Sequence, residues 1–170
     1  NNCKNIVFSS TATVYGESKK NLLDEQNILN PRNPYGDSKL AIEKILTNLS
    51  STNDDWRVAI LRYFNPAGAH ESGKLGESPK FKSENLFPKI CEVAARKIEK
   101  LYIYGKSWPT KDGTCVRDYI HVMDLAEVHL SAYEYLTNNE KFFVFGKGNF
   151  EASFDDVNKR LNSLDEKVYL

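Results

Sequence analysis

Apolar residues follow two rhythms along this chain. Ile6-Val7-Phe8 is a short continuous run closed by Ser9-Ser10, and Val58 to Phe64 is a second, nearly continuous one. Runs of this kind suit strands buried on both faces of a parallel sheet. Leu101 to Tyr104, ending at Gly105, and Phe142 to Phe145 predict two more strands. Elsewhere the apolar residues recur every three or four positions. Ile42, Ile45, Leu46 and Leu49 fall at i, i+3, i+4 and i+7, which predicts one apolar helix face over about 35–48. Asn33 would cap that helix and Pro34 would open it. Phe87, Ile90, Cys91, Ala94 and Ile98 mark a second helix after a Gly- and Pro-rich loop that ends near Glu84. A polar loop, Lys106 to Thr114, precedes a third helix. Asp124 is its expected cap, with Leu125, Val128, Ala132 and Tyr135 on one side. Ser153 would cap a last helix through Leu161. Strands and helices in alternation predict an α/β fold.

Length and charge narrow the function. A chain of 170 residues makes one domain, or one and part of another. It buries enough surface to need no staple. Lys plus Arg and Asp plus Glu are 23 each, so no basic field draws in nucleic acid and no acidic tail exists. No apolar run is long enough to span a bilayer. No basic, then apolar, then small-residue leader opens the chain. Cys3, Cys91 and Cys115 are few, odd in number and far apart. They exclude a disulfide framework and every CxxC zinc spacing, and fit reduced thiols in the cytoplasm. His70, His121 and His129 lack metal-ligand spacing and read as structural. No G-x-G-x-x-G follows any strand, and Gly146-Lys147-Gly148 is too short to replace it. Composition and period alone stop at an α/β domain.

Two segments carry candidate chemistry. Tyr35 and Lys39, four apart near a helix start, share one face a turn apart. A tyrosine on its own titrates near about pH 10, and an adjacent ammonium favours its phenolate. Such a pair makes an acid/base device. The spacing alone fits equally a half-buried Tyr beside a solvated Lys. Ser9-Ser10-Thr11-Ala12-Thr13-Val14-Tyr15-Gly16 follows directly on an apolar strand, where α/β sheets place their ligands. Thr11 would share a proton with a substrate hydroxyl beside Tyr35. The alternative is a Ser/Thr-rich turn bonding its own backbone.

Together these segments resemble the short-chain dehydrogenases/reductases, in which S-S-T after a strand and then Y-x-x-x-K give the active-site order. Longer words narrow the resemblance. Phe8 to Gly16 (F-S-S-T-A-T-V-Y-G), Asn33 to Lys39 (N-P-Y-G-D-S-K), Leu61 to His70 (L-R-Y-F-N-P-A-G-A-H) and Val116 to Leu125 (V-R-D-Y-I-H-V-M-D-L) all look like the UDP-glucose 4-epimerases. The resemblance runs from Asn1 to about Leu136.

It implies a partial Rossmann-like, doubly wound parallel sheet plus part of a smaller substrate-binding α/β domain. Residues 1–66 would be the later half of the NAD-binding domain. Residues 67–170 would be mainly the UDP-sugar domain, with 115–136 returning to the first. The implied reaction interconverts UDP-galactose and UDP-glucose through a 4-keto sugar, with NAD as cofactor. Tyr35 would take the 4-hydroxyl proton, Lys39 would bond the nicotinamide ribose, and Thr11 would stand where many members carry Ser. Ser10, Tyr63 and Phe64 would complete the cofactor contacts. Asn65, Asn85, Leu86 and Arg117 would hold the diphosphate side of the substrate, and Tyr102 and Tyr104 the uracil. Arg presents a fork of donors suited to phosphate, although a surface pair with Asp118 is its ordinary alternative. Core packing is the alternative for Tyr63 and Phe64. By resemblance the 35–48 helix would take part in a homodimer.

The departures matter too. Glu84 stands where the family usually has Asn, and a carboxylate near a diphosphate repels it. Residues 79–83 replace the usual loop, and Phe145 to Asn149 match only loosely. The glycine-rich cofactor loop would lie upstream of Asn1 and a basic UDP-binding segment beyond Leu170, so the chain reads as the middle of an enzyme. Thr11-Ala12-Thr13 carries no acid where the related 4,6-dehydratases have T-D-E. Another UDP-sugar activity, or a UDP-sugar binder without turnover, remains a rival.

Overall fold

The computed structural model describes residues 3–17, 22–77, 79–80, 84–138 and 142–146. Their elements run β1 (Asn5–Ser9), a 3-10 turn (Ala12–Tyr15), α1 (Pro34–Thr52), β2 (Arg57–Leu61), β3 (Asn65–Ala67), α2 (Leu86–Ala94), β4 (Tyr119–His121), α3 (Val122–Asn138) and β5 (Phe142–Phe145). One sheet has the order β1-β2-β5, and β3 pairs with β4 in a second. In the first sheet all neighbours are parallel, with Ser9 opposite Leu61 and Leu61 opposite Phe145. Two compact units result. One gathers the described residues of Asn1–Asn65 and Asp124–Asn149, the other those of Pro66–Met123.

The central strand explains the core. Side chains alternate across a strand, so Ala59 and Leu61 join Ala132 and Leu136 of α3, with Val7, Tyr63 and Val128 against them. Val58 and Ile60 face the other way and join Leu46 of α1, with Ile6, Phe8, Phe142 and Val144 around them. With both faces covered, β2 excludes water from Val58, Ala59, Ile60 and Leu61. Each such large side chain contributes about 1.5–3 kcal/mol.

α1 starts as its sequence dictates. Asn33 is extended (φ −148°) and its side chain accepts the Gly36 N–H at 2.8 Å, with Pro34 next in line. The helix continues past Asn48 to Thr52, its Thr47, Ser50, Ser51 and Thr52 hydroxyls bonding carbonyls of the preceding turn. Its buried face differs from the expected one. Gly36, Glu43, Leu46 and Ser50 are buried, while Ile42 and Ile45 are 39% and 64% exposed. The face that meets the sheet carries a carboxylate because Arg62 is there to pair it, which is what burying a charge requires.

Other boundaries also move. The second strand ends at Leu61, although the Arg62 N–H still reaches the Phe145 carbonyl at 2.7 Å. α2 stops at Ala94, short of Ile98, where Arg96 takes φ 55° and turns the chain. α3 begins at Val122, so Asp124 lies in its first turn, well placed for the helix dipole, and is not the cap. Leu136, not Tyr135, completes its buried side. Leu101–Tyr104 forms no strand, because no neighbouring backbone offers it a ladder among the described residues. β3 and β4 have no expected counterpart. The expected helix from Ser153 to Leu161 lies outside the described residues. No helix among the described residues is long and apolar enough to cross a membrane.

Candidate active site

The first unit collects chemistry at the carboxyl end of β1. The chain leaves Ser9 and is caught at once: the Ser10 N–H donates to Leu61 O (2.8 Å) and the Ala12 N–H to Tyr63 O (3.0 Å). Thr11 is extended and caps the 3-10 turn, its hydroxyl accepting the Thr13 N–H at 3.2 Å. The Thr11 and Thr13 hydroxyls also bond each other at 2.9 Å. The first turn of α1 packs against this segment. A Cβ on Gly36 would lie 2.8 Å from the Pro31 Cβ and 3.1 Å from the Thr13 carbonyl, so glycine there permits the approach.

Tyr35 is 54% exposed. Lys39, one turn on, donates to the Ser9 carbonyl at 2.8 Å, and its ammonium stands 5.8 Å from the Tyr35 ring centroid and 5.0 Å from that of Phe8. Tyr35, Lys39 and Thr11 thus gather at the strand end. The Lys39 ammonium has three donors and the carbonyl takes one. The Ser9 hydroxyl meets His129 Nε2 at 2.8 Å, and His129 Nδ1 lies 2.8 Å from the Leu125 carbonyl. A carbonyl only accepts, so Nδ1 carries a proton, and in the neutral imidazole Ser9 donates to Nε2. His129 also meets Tyr63 edge-on, with centroids 5.8 Å apart. Tyr63 therefore packs against α3. Phe64 is partly buried beside it, and Asn65 is exposed.

Beneath the turn lies a cluster that spacing gave no sign of. Glu43 and Arg62 are 3% and 6% exposed. Arg62 Nε lies 3.0 and 3.1 Å from the two carboxylate oxygens, and Nη2 lies 2.7 Å from Oε2. The Ser10 hydroxyl donates to Glu43 Oε1. Ser10 is 1% exposed, so its side chain faces the carboxylate. The buried Tyr15 hydroxyl donates to the Gly146 carbonyl at 2.9 Å and lies 3.5 Å from Arg62 Nη1. Burial raises the Tyr15 pKa against the pull of Arg62. Burial alone would lower the Arg62 pKa, but the bonds to Glu43 and Tyr15 and their charge outweigh it and the net shift is upward.

The second unit offers a cavity of about 710 Å³, lined by Glu84, Leu86, Lys89, Lys100, Tyr102 and Tyr104 among others. Tyr102 and Tyr104 are 64% and 90% exposed, so both reach the cavity without a strand to align them. The Lys100 ammonium lies 5.5 Å from the Tyr102 centroid. Asn85 precedes α2 and is exposed. Lys89 pairs with Glu92 at 2.7 Å. Arg117 is exposed and donates to the Val116 carbonyl at 3.1 Å. Cys91 is partly buried, which pushes its thiol pKa up. Among the described residues no group of His, Cys, Asp or Glu side chains forms a metal site.

The first unit thus joins the end of a parallel strand, a Tyr/Lys helix start and a hydroxyl turn. Residues 1–146 match the NAD dependent epimerase/dehydratase family, and the chain belongs to it. The chain is 52% identical over 136 residues to UDP-glucose 4-epimerase of Bacillus subtilis, covering 80% of this chain and 40% of that protein. It is 50% identical over 139 residues to UDP-glucose 4-epimerase of Pisum sativum, again covering 40% of that protein and 82% of this chain. The crystal structure of UDP-glucose 4-epimerase from Bifidobacterium longum in complex with NAD+ and UDP matches at a TM-score of 0.82 and 43% identity, over 92% of this chain and 47% of that one. The Brucella ovis enzyme in complex with NAD matches at 0.85 and 35% identity, over 95% and 49%. The Rossmann-like α/β fold is the one the sequence implies. The chain spans about 40% of the length of these curated relatives.

Proposed function

We propose that the complete protein interconverts UDP-galactose and UDP-glucose by inverting C4, using NAD, and that this chain supplies the catalytic turn and part of the UDP grip. One observation carries the reading: the exposed Tyr35 phenol stands a turn from Lys39, whose ammonium grips the end of β1 beside the Thr11–Thr13 hydroxyl pair. The similarity to UDP-glucose 4-epimerases supports it.

The residues at this strand end fit a nicotinamide dinucleotide. Lys39 keeps two donors free of the Ser9 carbonyl, the number a ribose diol accepts. Bound NAD supplies the hydride acceptor and donor. Tyr35 takes the proton from the sugar 4-hydroxyl and later returns it. Lys39 holds the ribose. Thr11 holds the same sugar oxygen through its hydroxyl, oriented by Thr13. Ser10 contributes through its backbone, and Tyr63 and Phe64 border the ring. In the second unit Asn85, Leu86 and Arg117 receive the diphosphate, with Arg117 as a two-pronged donor, and Asn65, the last residue of the first unit's opening segment, is assigned to the same substrate group. Tyr102 and Tyr104 flank the uracil. The unit ending at Asn65 and resuming at Asp124 is assigned to NAD, and the Pro66–Met123 unit to the UDP-sugar. Three unpaired cysteines suit a cytoplasmic setting.

Incubated with UDP-galactose and NAD, the complete protein should form UDP-glucose, and UDP alone should compete. Binding of UDP without product would leave a nucleotide-sugar binder in place of an enzyme. Elimination of water is disfavoured because Thr11-Ala12-Thr13 has no acid to drive it.

The same reading covers self-association. Ile42 and Ile45 present apolar surface on the outer face of α1, the kind of face a second copy would cover. Sedimentation should give a dimer. A monomer at micromolar concentration would remove α1 from any interface.

A further inference from the structure

We propose that Glu43 and Arg62 are positioning residues, whose buried pair fixes the Thr11–Thr13 turn against the Tyr35–Lys39 face of α1. The role is stated for the reaction proposed above and rests on that reading.

Tyr35, Lys39 and Glu43 occupy successive turns of one helix stripe. Two of them grip successive residues at the end of β1: Lys39 holds the Ser9 carbonyl and Glu43 holds the Ser10 hydroxyl. Thr11 is the next residue. Beyond the turn, Tyr15 is held by the Gly146 carbonyl and touched by Arg62, the residue that already forks onto Glu43. The turn is therefore clamped on both sides by one polar cluster. Arg62 is itself fixed through its backbone to Phe145 of β5.

Stability does not account for the cluster. Removing two charges from water costs several kcal/mol each, and apolar residues of similar size often serve as well or better. What an apolar pair cannot supply is an acceptor for Ser10 Oγ. Without one, the turn keeps its backbone bonds to Leu61 and Tyr63 but loses its side-chain link to the helix that carries Tyr35.

The test replaces both partners at once, Glu43→Met with Arg62→Met, in the complete protein. The melting temperature should stay within a few degrees. kcat should fall about tenfold or more, with UDP affinity within about twofold, the signature of lost transition-state geometry. The Ala12 and Thr13 amides should exchange about tenfold faster than in the parent, while those of β2 do not change. A Met pair with parental stability, parental kcat and parental exchange at the turn would overturn the proposal and leave a purely structural ion pair. If the double variant does not fold, Ser10→Ala decides. It removes only the hydroxyl that joins the pair to the turn, and should lower kcat about threefold or more and speed the same amides. Unchanged values there would overturn the proposal as well. A parent protein with no epimerase activity would sink the proposed function, whereas the exchange data would still decide whether the pair holds the turn.

Discussion

Tyr35→Phe should leave a folded protein that binds UDP normally and converts UDP-galactose about a thousandfold more slowly. The substitution removes one oxygen from an exposed ring. Surface changes of this kind move stability by no more than about 0.5 kcal/mol. The rate effect is of another order. In the proposed reaction the phenol takes and returns the 4-hydroxyl proton, and a positioned acid/base is worth about 10²–10⁴ in rate. A thousandfold loss corresponds to about 4 kcal/mol of barrier. The neighbouring Thr11 hydroxyl is engaged with Thr13. As an alcohol it is far too weak an acid/base to take over. Lys39 keeps its bond to the Ser9 carbonyl in the variant, so ribose contacts should survive. Stopped-flow or coupled assays of turnover, beside a UDP titration, give both numbers. Near-parental epimerisation would remove Tyr35 from the chemistry.

Gly16→Ala should be the most damaging small substitution near the site, costing about 3 kcal/mol or more of stability. Gly16 ends the hydroxyl turn with φ 68° and ψ −146°, a region open essentially to glycine alone. Space is also lacking. A Cβ there would come within 1.9 Å of the Asn30 carbonyl oxygen. That oxygen belongs to backbone tied in place by the Asn30 N–H to Val14 carbonyl bond of 3.0 Å, so it cannot swing aside as a side chain would. The turn that carries Thr11 would have to move with it. Urea unfolding of the complete protein measures the loss directly. A midpoint equal to the parent's would mean that the turn leaves its described path at little cost.

Local signals were legible and distant partnerships were not. Asn33-Pro34 declares the start of α1 because cap and first residue act on adjacent backbone. The cores of β1, β2 and β5 follow from apolar runs that only a covered parallel strand accommodates. The Tyr35–Lys39 juxtaposition follows from helix geometry alone. The inner face of α1 was misread because Glu43 is buried by a partner 19 residues away, which no periodicity registers. For the same reason the inward turn of the Ser10 hydroxyl to that carboxylate was not legible in the sequence. β3 escaped notice because Asn65-Pro66-Ala67 has no strand signature and pairs with residues far along the chain. Leu101–Tyr104 alternates like a strand but finds no ladder among the described residues. Its tyrosines nonetheless share one cavity.

The most direct test follows the hydrogen at C4. UDP-galactose carrying deuterium at C4, given to the complete protein in ordinary water, should yield UDP-glucose with the deuterium still at C4. In the proposed reaction Tyr35 handles only the hydroxyl proton, and the carbon-bound hydrogen leaves and returns within the site. Product that has exchanged its C4 deuterium for solvent hydrogen, or no UDP-glucose at all, would contradict the account.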